Sequence, residues 1–127
     1  MKPKVALVED NPDNRLLVQA ILEDAFQISE YETGILALEG MQEDRPELVL
    51  LDISLPGMDG TEVLRRMREE DSLRSIPVIA LTAHAMTGDR ERFLSQGFDD
   101  YLTKPIVDDE ELIRVIRALL ASGRTQD

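Results

Sequence analysis

Five side chains of this sequence have the types needed to share one reaction: Glu9, Asp10, Asp52, Thr82 and Lys104. Carboxylates are hard oxygen ligands, and an all-oxygen set favours Mg²⁺ or Mn²⁺ over Zn²⁺. Gathered without a counter-ion, they would repel by about 4 kcal/mol per pair at a separation of about 4 Å and an effective dielectric near 20. Lys104 offers an ammonium and Thr82 a hydroxyl donor. A carboxylate, a divalent cation, an ammonium and a hydroxyl together suit phosphoryl transfer. Asp52 attacks in line, while the cation and Lys104 neutralise the equatorial oxygens. Singly, each residue has a plainer reading. Glu9 and Asp10 read as loop acids, Thr82 as a turn or capping residue, and Lys104 as a surface lysine. Their joint placement is what points to chemistry.

That placement follows from the elements that carry them. Lys4 to Val8 is an apolar run of strand length, followed by Asn11-Pro12, a strong helix start. Leu17, Ala20 and Ile21 then recur at helical spacing up to about Ala25. Gln27 to Tyr31 reads as a weaker strand, and Thr33 to about Gln42 as a helix weakened by Gly34 and Gly40. Leu48 to Leu51 suits a strand covered on both faces. After the turn-rich Leu55 to Gly60, a helix carries Val63, Leu64 and Met67. Pro77 to Leu81 is a fourth strand. A helix from roughly Gly88 to Gln96 ends at Gly97. Asp100 to Thr103 is a fifth strand, and the helix from about Asp108 to Ala121 lines up Leu112, Ile113, Ile116, Leu119 and Leu120.

Five strands alternating with five helices predict an α/β fold, a parallel sheet in the order 2-1-3-4-5 flanked by helices. Ligands of such sheets bind at the carboxyl ends of the strands. Strand 1 ends at Glu9 and Asp10, strand 3 at Asp52, strand 4 at Thr82 and strand 5 at Lys104. Adjacent strands lie about 4.8 Å apart, so Asp10 and Asp52 can share a cation, and Lys104 has roughly 10 Å to span.

The 127 residues, 43% apolar and without low-complexity tracts, predict one folded domain over 1–127 with no output domain. The absence of cysteine excludes a disulfide framework and a thiolate nucleophile. A net charge of −12 with no basic run argues against nucleic acid as a partner. Arg65, Arg66 and Arg68 lie among glutamates and read as a solvated face. No apolar run is long enough to span a membrane, and the N-terminal apolar stretch stops at Glu9, too short for a signal peptide. The expected location is cytoplasmic, and the expected state a monomer or weak dimer.

The motifs ED at 9–10, LLDISLPGMDG at 50–60, IALTAHA at 79–85 and YLTKP at 101–105 resemble the response-regulator receiver domain of two-component signalling. The resemblance covers nearly the whole chain and is similar to the stand-alone, DivK-like type. The stretch from Ala80 to Ile106 also resembles receivers attached to hybrid histidine kinases. The resemblance implies a flavodoxin-like receiver topology with Asp52 as phosphoacceptor. It implies that Asp10 and Asp52 ligate Mg²⁺ directly, Glu9 through water and Ser54 through its backbone carbonyl. Thr82 and Tyr101 would form a switch pair and Lys104 would contact the phosphate. A cis bond between Lys104 and Pro105 is expected. The donor would be a histidine kinase or a histidine phosphotransfer protein. The readout would be a protein target on the face of the fourth helix, fifth strand and fifth helix, or onward relay of the phosphoryl group. Glu9 replaces the more common Asp. Ser54 and His84 occupy variable positions, and His84 reads as an exposed loop residue.

Three other classes fit less well. An aspartyl-phosphate phosphatase of the haloacid-dehalogenase type would carry a second Asp where Ser54 stands. A flavodoxin-like cofactor binder would have a glycine- or hydroxyl-rich first loop, whereas EDNPDN at 9–14 is acidic. A purely structural module leaves the converging carboxylates and lysine unexplained.

Overall fold

The computed structural model describes residues 2–83, 88–104, 106 and 108–122. In chain order its elements are β1 (Lys4–Val8), α1 (Pro12–Leu22), β2 (Gln27–Tyr31), α2 (Gly34–Glu43) and β3 (Leu48–Asp52). They continue with α3 (Gly60–Glu69), β4 (Val78–Thr82), α4 (Asp89–Gln96), β5 (Asp100–Thr103) and α5 (Asp109–Ser122). All strand pairings are parallel, and the sheet order is β2-β1-β3-β4-β5, as the alternation of strand and helix predicts. Among the described residues, no helix is long and apolar enough to cross a membrane.

Alternate strand residues feed two cores. Val5, Leu7, Leu50, Ile79 and Leu81 pack with Leu22 of α1 and Ile116 of α5. Val8, Val49, Leu51 and Ala80 pack with Met41 of α2, Met67 of α3 and Phe93 of α4. Both β3 and β4 are buried along all five residues, which is why their sequences run apolar without alternation.

The helix ends follow local chemistry. Asn11 caps α1 by accepting from the backbone N–H groups of Asp13 at 2.8 Å and Asn14 at 3.2 Å, with Pro12 first in the helix. The periodicity of α1 predicts a helix to about Ala25, yet it ends at Leu22. The N–H groups of Ala25 and Phe26 both fold back on Leu22 O, at 3.0 and 2.9 Å. This tight turn sinks Phe26 into the core, and that burial outweighs three more residues of helix. Gly40 weakens α2 in isolation but leaves room for the Tyr31 ring, which a Cβ there would displace. On α5, Val115 joins Leu112 and Ile116 in the core, while Ile113, Leu119 and Leu120 are only partly buried.

The ends of α4 differ from each other. Gly88 before it has φ +89 and supplies no side-chain cap. Gly97 after it has φ +111 and donates to Leu94 O and Phe93 O. Arg68, from α3, fastens that second end. Its Nη2 donates to Gly97 O at 3.0 Å and to Asp99 Oδ2 at 3.2 Å, and its Nη1 to Ile76 O at 2.9 Å. Asp99 Oδ2 also accepts from Val78 N–H at 2.8 Å.

Candidate functional site

Strand register sets the site. Val8 pairs with Leu51, Leu51 with Ala80 and Ala80 with Tyr101. One residue further along lie Glu9, Asp52, Leu81 and Leu102 at a common level, and one beyond that Asp10, Thr82 and Thr103. Side chains alternate along a strand, so Glu9, Asp52 and Lys104 share the α1–α5 side with Leu7, Leu50 and Leu102. Thr82 and Tyr101 share the α4 side with Ala80. The residues singled out from sequence thus meet at one sheet edge, divided between its two faces.

Asp52 is 1% exposed and held at both oxygens. Its Oδ1 accepts from Ser54 N–H at 3.0 Å, and its Oδ2 lies 3.1 Å from Lys104 Nζ. The same ammonium donates to Glu9 Oε1 at 3.1 Å. Glu9 is equally buried, and its Oε2 accepts from Asn11 N–H at 3.1 Å. Ligand oxygens of Glu9, Asp10 and Asp52 all lie within 4.8 Å of one another. Asp10, unlike Glu9 and Asp52, is exposed.

The electrostatics match this crowding. Burial pushes the Glu9 carboxyl above the usual carboxylate range, and the Asp52 charge adds to the shift. The Asn11 N–H and Lys104 oppose it without cancelling it. For Lys104, burial disfavours the charged form. Its hydrogen bonds to Asp52 and Glu9, and their charges, outweigh burial, so its pKa rises above the ordinary lysine value. The ammonium therefore stays charged, one positive charge among three acids. An oxygen-only donor set short of positive charge fits a hard divalent cation.

The loop from β3 to α3 turns sharply to bring Ser54 under Asp52. Gly57 has φ +75, where a glycine is favoured. A Cβ on Gly60 would stand 2.4 Å from Asp52 O and 2.8 Å from Ile53 Cα. Only glycine lets α3 start so close to the end of β3. On the other face, Thr82 is 5% exposed and its carbonyl accepts from Lys104 N–H at 2.7 Å. Tyr101 is half-buried, its ring 5.7 Å from that of Phe93.

Two features escape a reading of residue types. Gly60 belongs to the LPGMDG turn, whose density of turn formers marks a loop but not a near-contact of backbones. Arg15 donates from Nη1 to Glu9 O at 2.8 Å, and its only sequence signal is a cation one turn into the first helix. The bond from Lys104 to Pro105 and the side chain of His84 lie outside the described residues.

The response regulator receiver domain model matches residues 5–117. The sensor protein GacS of Pseudomonas syringae pv. syringae is 44% identical over 118 residues, which are 90% of this chain and 13% of GacS. The polar-differentiation response regulator DivK of Brucella anthropi is 44% identical over 111 residues, 84% of this chain and 87% of DivK. A solved receiver domain of the sensor histidine kinase PA1611 from Pseudomonas aeruginosa PAO1 has a magnesium ion coordinated in its active site cleft. It is 35% identical, with a TM-score of 0.85, covering 95% of this chain and 99% of that one.

Proposed function

From membership in the response regulator receiver family of two-component signalling, to which this chain belongs, we propose that Asp52 accepts a phosphoryl group in an Mg²⁺-dependent reaction. The modification then changes which protein the domain binds. The donor is a phosphohistidine of a histidine kinase or a histidine phosphotransfer protein. An Asp52 carboxylate oxygen forms the new bond to phosphorus as the N–P bond breaks, and the electron pair returns to the donor imidazole. The chain catalyses its own phosphoryl transfer and dephosphorylation rather than turnover of a separate substrate.

The observation that carries this reading is the Asp52 carboxylate itself. It is buried and oriented by Ser54 N–H and Lys104, with two more acids within 4.8 Å. Asp10 and Asp52 would hold the metal directly, Glu9 through water and Ser54 through its carbonyl. When bound, the metal supplies positive charge to the oxygens of the transferring group. Lys104 shares its proton donors between Glu9 and Asp52 and can turn one toward a phosphate oxygen. Thr82 closes on the new dianionic group with its hydroxyl, and Tyr101 turns into the space it leaves. The proximity of Tyr101 to Phe93 supports this, because it links the move to α4 and so to the face formed by α4, β5 and α5.

A second reading, receiver of a hybrid-kinase relay, is favoured by the 44% identity to GacS, of which this chain spans 13%. Both readings share the Asp52 chemistry. Intact mass after incubation with acetyl phosphate and Mg²⁺ tests it. The expected result is one added phosphoryl group in the wild type and none in Asp52→Asn. Equal labelling of both proteins would place the acceptor elsewhere.

A further inference from the structure

We propose that Arg15 is a positioning residue for the acidic pair, setting magnesium affinity by fixing the peptide between Glu9 and Asp10. The inference rests on the metal site of the preceding section and adds a residue to it. Glu9 is held through its main chain on both sides. Its N–H donates to Tyr31 O at 3.0 Å, and its carbonyl accepts from Arg15 Nη1 at 2.8 Å. Arg15 is itself oriented, with Nε 3.4 Å from Glu30 Oε1 on β2 and a side chain only 19% exposed. A guanidinium suits this task because its fork is rigid and always charged, and engages two acceptors at once.

The need for such a brace appears at Asp10. The Glu9 side chain is locked by Lys104 and Asn11, and that of Asp52 by Ser54 and Lys104. Asp10 is exposed and its carboxylate makes no hydrogen bond or ion pair among the described residues. The backbone therefore sets the direction in which its side chain leaves the chain, with no side-chain partner to correct it. The Glu9 carbonyl lies in the same rigid plane as the Asp10 N–H. A donor fixed on that oxygen sets the plane from which the Asp10 side chain departs. The brace spans three elements: α1 supplies Arg15, β2 supplies Glu30 and Tyr31, and the end of β1 supplies Glu9.

A simpler role makes the opposite prediction. If Arg15 were only a positive charge near a cation site, removing it would tighten magnesium binding, and lysine would change nothing. A brace predicts weaker binding in Arg15→Gln, by about tenfold, as for other groups that orient metal ligands from behind. Arg15→Lys should fall between that variant and the wild type, because one ammonium can reach the carbonyl but lacks the fork.

The experiment is a magnesium titration of wild type, Arg15→Gln and Arg15→Lys, followed by the backbone amide NMR signals of Asp10, Asn11 and Ser54. The order wild type, Lys, Gln from tightest to weakest supports the brace. In that case the Asp10 amide also shifts in the metal-free Gln variant. Gln binding as tightly as wild type or tighter overturns it. Should Arg15→Gln fail to fold, Arg15→Lys decides, with unchanged affinity counting against the brace. A wild type that binds no magnesium would instead defeat the metal site, and Asp10→Asn in parallel separates the two failures.

Discussion

Asp10 is the acid of the site that shares no cation in the ion pairs described, since Lys104 divides itself between Glu9 and Asp52. Without metal its carboxylate is a third acid with an oxygen within 4.8 Å of those of Glu9 and Asp52. Asp10→Asn should therefore stabilise the metal-free protein by about 0.5–1 kcal/mol, the scale of interactions between charges near the surface. Millimolar Mg²⁺ should raise the melting temperature of the wild type, and the same change should abolish that rise. Thermal unfolding with and without magnesium checks both halves, and a lower metal-free melting temperature would contradict the first. At this scale, the convergence of Glu9, Asp10, Asp52, Thr82 and Lys104 was legible in sequence because each stands at the end of a strand or within two residues of it. Arg15 was not. Its action depends on a long side chain folding back across a helical turn to a main-chain oxygen, which no spacing of residue types encodes.

Helix α3 carries favourable interactions at both of its ends. Asp59 caps it by accepting from Glu62 N–H at 3.0 Å. Glu62 stands in its first turn and Arg66 and Arg68 in its last, matching the helix dipole. Hydrogen bonds from Arg65 and Arg66 pull the Glu62 carboxyl down to about 2. A depressed carboxylate pKa gives stability that is fully present above the unfolded value of about 4.3 and lost as pH falls toward 2. The difference in urea midpoint between wild type and Glu62→Gln should hold at pH 6, narrow below pH 4 and largely close near pH 2. High salt should shrink it, because the ion pairs of this carboxylate lie at the surface with exposed arginines. A gap independent of pH would assign the effect of Glu62 to packing. Helix positions were readable from caps and periodicity, as Asn11, Thr33 and Gly97 show. The early end of α1 was not, because the pull on Phe26 comes from a core assembled by distant strands.

For the molecule as a whole, the parallel sheet and its order followed from strand and helix alternation, since few right-handed topologies satisfy it. The division of the site between faces needed the register as well: Glu9, Asp52 and Lys104 on one side, Thr82 and Tyr101 on the other. That division gives the sheet edge two jobs. One face holds charge, and the other adjoins α4, whose two ends are built differently. The Arg68 fastening holds Gly97, while at the opposite end Gly88 itself has no side chain with which to cap. Only Asp89 and Phe93 of this eight-residue helix are buried. In native-state hydrogen exchange, α4 should therefore open as a separate unit, at a free energy a few kcal/mol below that of whole-molecule unfolding. The amides of Arg92, Phe93 and Leu94 should exchange well before those of Val49 and Leu50 in β3. Equal protection would mean that α4 opens only with the sheet. With independent opening, a partner that clasps this helix adds its binding free energy to that of opening, so slowed exchange confined to α4 measures the partner's grip.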